Sequence, residues 1–115
     1  MTNHININKE EQMVSSQLNY IKIDNYTYTN ENHSIYSPFS GTVVDRNNES
    51  IIIKCENGYY VFFSSLINIS VRKYDVISNS DKLAEFIETF NFYLMKDGKV
   101  YSYEEIVSNY WSYWC

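Results

Sequence analysis

Side chains able to shuttle protons, hold metals or attack carbonyls are few in this 115-residue chain, which has two histidines and two cysteines. Zinc at a catalytic centre needs three nitrogen, oxygen or sulfur ligands and an open position for water. His4 and His33 fall at no such spacing, and His33 sits in the polar run Asn30-Glu31-Asn32-His33, where solvent exposure is expected. Cys55 and Cys115 have neither metal nor redox spacing and are expected as reduced thiols. Nothing cationic adjoins Cys115 to lower its pKa. Ser64-Ser65 lacks a neighbouring histidine or acid to activate a hydroxyl, so it reads as a strand end. What remains is recognition chemistry. Twelve of the residues are tyrosine, and Tyr110, Trp111, Tyr113 and Trp114 gather near one end of the chain as candidate partner-binding residues, because Trp and Tyr dominate binding hot spots. The competing reading buries at least one of the tryptophans in the core. Asp75, Asp81 and Glu85 are the candidate acidic contacts, against the plainer reading that they are solvated.

Composition narrows the partners. The formal net charge is -5, which repels phosphate backbones and speaks against direct nucleic-acid binding. An acidic face is suited to a basic protein surface, so a protein partner is expected. The first eleven residues are polar, with no basic start and no apolar stretch of signal-peptide length. No run approaches the ~20 apolar residues of a membrane span. The expected location is the cytoplasm of the producing or infected cell, with no cofactor.

The elements that must position these residues are mostly strands. Residues 1–19 read as a peripheral arm, in which Asn8 caps a possible short helix with Glu11 at its third position. Residues 20–115 read as one β-rich domain. Tyr20 to Asp24 and Tyr26 to Tyr28 alternate with the period of half-buried strands. Thr42-Val43-Val44 follows a turn at Ser40-Gly41, and a turn is expected at Asp45 to Glu49. Ile51 to Cys55 is a β-branched strand with Ile51, Ile53 and Cys55 on one face. Asn57-Gly58 signals a tight hairpin into Tyr59 to Phe63. Val71 to Ala84 alternates weakly. Phe90 to Met95 forms another strand, turned by Lys96-Asp97-Gly98-Lys99 onto Val100-Tyr101. Strand and turn signals this dense predict a sandwich or barrel. The period then changes: Ser102 with Glu105 makes a capping box, and Ile106, Tyr110 and Trp114 recur every four residues, predicting a short helix over about 103–114.

Four of these stretches resemble the lysostaphin-type zinc peptidases. Ser37-Pro38-Phe39-Ser40-Gly41-Thr42-Val43-Val44 is similar to the family's "A-P-x-x-G-T-V-V" strand, and Asn57 to Leu66 to its "N-G-x-Y-T-L-Y-A-H-L" hairpin. Val71 to Ala84 follows "V-x-x-G-D-x-V-x-x-G-x-x-I-G" without a gap, and Thr89 to Lys99 follows "H-L-H-F-E-V-R-K-D-G-K". The resemblance runs from about Ile35 to Ile106 in the family's order. It implies a mainly β, small barrel-sandwich of the duplicated hybrid motif type, to which the short C-terminal helix read from the spacing is added. It also implies where a zinc centre would lie, and there the chain departs. Ser65 stands at the "A-H-L" histidine, Thr89 and Asn91 replace the "H-x-H" pair, and Asp24 has Tyr20, not histidine, four residues before it. Hydroxyls and amides are poor zinc ligands and cannot replace an imidazole that titrates near neutrality. Tyr74 and Ser80 replace two loop glycines of the kind that adopt positive φ. The related biotinyl, lipoyl and sugar-phosphotransfer carriers share the architecture, but no Met-Lys-Met or Asp-Lys-Ala attachment signal is present.

The expectation is therefore a non-enzymatic binding protein on a degenerate peptidase scaffold, holding no metal. Small size, acidity and tyrosine richness fit a phage- or mobile-element-encoded inhibitor of a host defence or regulatory protein. The alternative is a module that binds cell-wall glycan or peptide without cleaving it.

Overall fold

A computed structural model describes residues 20–56 and 58–105. The expected N-terminal arm and the expected helix beyond residue 105, with Tyr110, Trp111, Tyr113 and Trp114, lie outside the described residues.

Ten strands follow in chain order: β1 (Ile21–Asp24), β2 (Thr27–Thr29), β3 (Ser34–Tyr36), β4 (Gly41–Arg46), β5 (Ile51–Lys54), β6 (Tyr60–Ser64), β7 (Val76–Ile77), β8 (Lys82–Glu85), β9 (Phe90–Lys96) and β10 (Lys99–Tyr101). Every pairing is antiparallel. The main eight-stranded sheet has the order β1-β2-β9-β6-β5-β4-β7, with β10 also on β9, and β3 pairs β8 in a second, two-stranded sheet. The architecture is the expected mainly β one.

Alternation decides which face meets the core. Ile51, Ile53, Val61, Phe63, Phe90, Phe92 and Leu94 are all buried, and successive strand residues point to opposite faces. Phe63 stacks on Phe92 at 4.9 Å between ring centroids, and Phe86 packs on Phe90 at 4.8 Å. β3 and β8 close the far side of this core with Ile35, Leu83 and Ala84. Gly41 sits where β4 crosses closest to β5, because a Cβ there would meet the Lys54 carbonyl oxygen at 2.5 Å. The β9–β10 turn has positive φ at Asp97 and Gly98, the backbone that matches the twist of a tight hairpin.

Three expectations need adjusting. Asp45 and Arg46 belong to β4 rather than to a turn, since a bulge between Val43 and Asp45 lets the pairing with β5 continue. β1 is exposed along its whole length rather than half-buried, because it is an edge strand paired only with β2. Tyr26 lies in the β1–β2 turn.

The segment between Val71 and Glu85 is held by two equivalent turns. Tyr74 and Ser80 have φ of 80° and 78°, so both retain the left-handed backbone that glycine adopts without strain. In the first turn the Asp75 carboxylate accepts a hydrogen bond from the Arg72 amide, and in the second Asp81 accepts one from the Ser78 amide. Each turn is then fixed to the sheets by a reciprocal backbone pair. Tyr74 N–H donates to Val43 O and Val43 N–H to Asp75 O; likewise Ser80 N–H donates to Ser37 O and Ser37 N–H to Asp81 O. These bonds over-determine the two conformations, which is how strained φ persists in a folded chain.

At the other end, Ser102 N–H donates to the Glu105 carboxylate and Glu105 N–H donates to Ser102 Oγ. This is the expected capping box, and residues 103–105 are helical. Tyr103 packs on Phe39 and Phe92. Tyr28 donates its hydroxyl hydrogen bond to the Glu104 carboxylate at 2.8 Å.

Candidate functional site

The place where the resemblance puts a zinc centre is on the outer face of β6 and β9. Asn91 stands between Ser64 of β6 and Thr27 of β2 in the strand register, and its side chain points away from the core that takes Phe90 and Phe92. Ser65 follows directly after β6 with φ of 65°, which turns its hydroxyl back over the sheet. There Ser65 Oγ donates to Asn91 Oδ1 at 2.9 Å. Asn91 Nδ2 donates to Thr27 Oγ1 at 3.2 Å. The Thr27 side chain in turn hydrogen-bonds the Asp24 carboxylate, the largest cause holding that carboxyl below the usual range. Ser65, Asn91, Thr27 and Asp24 thus form one polar chain.

The structure brings Ser65 and Asn91 together as the resemblance implies. Thr89 lies just before β9 and is exposed. Tyr20 is directed elsewhere: its ring packs edge-on against Phe90 and Phe92, and its hydroxyl donates to Tyr36 O. Burial raises its pKa well above that of free tyrosine. Thr27 was not singled out from sequence. Its role depends on the pairing of β2 with β9, 64 residues apart along the chain.

The donor set does not suit zinc. Asn91 uses both ends of its amide on neighbours, Ser65 and Thr27 offer hydroxyls, and Asp24 is the one carboxylate in the chain of contacts. Among the described residues there is no group of three or more His, Cys, Asp or Glu able to hold a metal ion. His33 is exposed in its loop, as expected, with positive φ and its ring 5.3 Å from that of Phe86. Cys55 is a buried free thiol.

The acidic candidates have intramolecular tasks. Asp75 and Asp81 cap their turns, as above. Glu85 accepts from Asn68 Nδ2 at 2.8 Å and pairs with Lys82 at 2.9 Å, and these contacts lower its pKa, the Asn68 bond most.

Beside the polar chain lies an apolar strip. Ile52, Phe62 and Tyr93 are register partners across β5, β6 and β9. The rings of Phe62 and Tyr93 stack at 4.9 Å with 1° between planes, and Tyr26 meets Tyr93 edge-on at 6.0 Å. These residues are half-buried or exposed, and they belong to the face opposite the core.

No protein-family model and no curated protein matches the chain. Solved structures do. One chain from the crystal structure of the SpoIIIAH and SpoIIQ complex superposes with a TM-score of 0.62 at 14% identity, covering 76% of this chain and 78% of that one. The catalytic domain of the prophage-encoded M23 protein EnpA from Enterococcus faecalis matches at 0.52 and 14% identity, covering 69% and 72%. A zinc-containing peptidase from Vibrio cholerae matches at 0.56 and 16% identity, over 68% of this chain but 28% of its own length. The fold is lysostaphin-like. At these identities the likeness establishes that lysostaphin-like architecture and leaves the chemistry to the residues themselves.

Proposed function

We propose that this chain is a non-catalytic protein-binding domain built on a lysostaphin-like scaffold, acting in the cytoplasm as a phage- or mobile-element-encoded inhibitor of a host protein. The observation that carries the reading is the Ser65–Asn91–Thr27–Asp24 chain. An amide with both ends engaged and two hydroxyls, with no imidazole or metal-holding cluster among them, are poorly suited to polarise a carbonyl or activate water. The adjoining Tyr26–Tyr93–Phe62 strip offers amphipathic aromatic area of the kind that anchors protein interfaces. The SpoIIIAH–SpoIIQ complex supports the idea by analogy, since one of its chains shares the fold and assembles with another protein.

The test has two arms. Purified protein should carry no stoichiometric zinc and cleave no wall peptide, and it should stay in the supernatant when peptidoglycan is sedimented. Mixed with host lysate, it should retain one stoichiometric partner, and Phe62→Ala/Tyr93→Ala should release it. Wall-peptide cleavage, or co-sedimentation with peptidoglycan, would refute the reading.

A further inference from the structure

Charge is unevenly spread along the strands of the outer face. At the end where β5 begins and β6 stops, Asp24, Asp45, Glu49 and Glu88 are exposed, and none of them forms an ion pair among the described residues. Asp45 is the register partner of Ile52, so it ends the apolar strip on β4. Asp24 ends the polar chain at Thr27. Glu49 accepts from the Leu66 amide, beside Ser65, through its backbone carbonyl, and the Glu88 carbonyl accepts from the Thr29 hydroxyl. The four acids therefore border one field, which holds the aromatic strip and the polar chain. From β4 across β5, β6 and β9 to β2 it spans four strand spacings of roughly 4.8 Å, about 19 Å in all.

The cations that could neutralise this border are placed elsewhere. Arg46 is opposite buried Ile51, so it shares the core side, and it donates to the Val71 carbonyl oxygen. Lys22 is opposite buried Tyr28 and reaches Glu104. Lys82 is held by Glu85. Lys54 shares the outer face but stands at the far end of β5, over the Tyr60 ring. Lys96 and Lys99 are opposed at that same far end, where Glu56 and Asp97 accompany them. Arg72 and Lys73 lie beyond the β4 edge, in the turn that bonds Val43, and share it with Asp75. Four carboxylates against Lys54 and that turn's one excess cation leave the field negative.

We propose that this field is the docking surface for a basic, partly apolar extended segment of a partner protein. Arg or Lys side chains of the segment meet the bordering carboxylates, and their aliphatic stems and the apolar residues between them cover Ile52, Phe62 and Tyr93. A guanidinium can also stack on the tyrosine and phenylalanine rings. About 19 Å is the length of about six extended residues. The chain's net charge of -5 acts in the same direction as the border, favouring a basic partner over an acidic segment or a phosphate backbone. The inference rests on the protein-binding reading above and adds the chemistry of the partner.

The test is an amide-resolved NMR titration of the full chain with an eight-residue peptide of alternating Lys and Leu, alongside Glu–Leu and Ser–Leu peptides of the same length. The basic peptide should shift the amides of Ile52, Phe62, Ser65, Asn91 and Tyr93. Its affinity should fall between about 50 and 500 mM salt. Asp45→Asn/Glu88→Gln should weaken binding about fivefold or more. Glu56→Gln/Asp97→Asn removes the same charge at the far end and should weaken it by less than about twofold. All four of these acids are exposed, and a dispersed spectrum verifies that each variant is folded. No saturable shift at about 1 mM peptide, shifts centred on the far end, or equal weakening by the two double variants would each overturn the proposal. So would a Ser–Leu or Glu–Leu peptide that binds as tightly. Such failures are distinct from wall-peptide cleavage or peptidoglycan co-sedimentation, which would defeat the protein-binding reading itself.

Discussion

Tyr74→Gly should make the protein more stable although it deletes a large side chain. Tyr74 holds φ at 80°, a region that costs an L-residue roughly 1–2 kcal/mol and glycine almost nothing. The gain is offset by the greater freedom of glycine in the unfolded chain, roughly 0.5–1 kcal/mol. Little packing is lost, since the ring is 73% exposed and its named contact is the Lys73 ammonium, worth about 0.5 kcal/mol at an exposed site. These terms sum to between about -0.5 and +1 kcal/mol, centred on a small stabilisation worth a degree or two in Tm for a domain of this size. Tyr74→Ala isolates the backbone, because it loses the same ring and keeps the strain. The glycine variant should exceed the alanine variant by about 1 kcal/mol in urea unfolding followed by circular dichroism. Ser80, at φ 78° in the equivalent turn, should give the same ordering of Gly over Ala. If alanine proves equal to or better than glycine at both positions, the left-handed turns are not as described, and the argument for an outward-facing Tyr74 goes with them.

Other outcomes follow from the geometry. Thr27→His/Ser65→His/Asn91→His places three imidazoles where three side chains now hydrogen-bond in series; it should bind cobalt(II) with the visible absorption of a tetrahedral site, while the unaltered chain should show none. Ser102→Ala removes the hydroxyl that accepts from Glu105 N–H and should cost about 1 kcal/mol in urea unfolding. Stability should fall at both pH extremes, read as a melting-temperature profile. Asp24, Glu85 and Glu105 have lowered pKa values, so their contribution is present above the unfolded carboxyl value near 4 and is lost as pH falls through the folded ones. Tyr20, Tyr28 and Tyr103 are raised, chiefly by burial. Their contribution is complete below pH ~10 and declines above it, as the unfolded tyrosines ionise first. Tyr28→Phe should flatten the alkaline limb, and an unchanged slope would show that this hydroxyl is not held neutral by the fold.

Local signals made the central hairpins legible. Alternation in Ile51 to Cys55 and Tyr59 to Phe63, joined by Asn57-Gly58, led directly to the β5–β6 pairing, because period and turn chemistry both act within a few residues. The same holds for β9–β10 and for the capping box at Ser102. Long-range register carries no such local mark. The pairing of β3 with β8, and the meeting of Thr27 with Asn91, depend on strands distant in sequence, so the second sheet and the full polar chain stayed hidden. β1 misled because Ile21, Lys22, Ile23 and Asp24 alternate as a half-buried strand does, while their position at the sheet edge leaves Ile21 and Ile23 in solvent. The Tyr74 and Ser80 turns were visible only as departures from glycine, and their backbone bonds to Val43 and Ser37 explain why the departures are tolerated.

Tyr20 and Tyr103, near the two limits of the described chain, touch the same inner ring, Phe92. They behave as a pair of stoppers in one opening, so a protease that nibbled past either would let water reach the aromatic stack behind it.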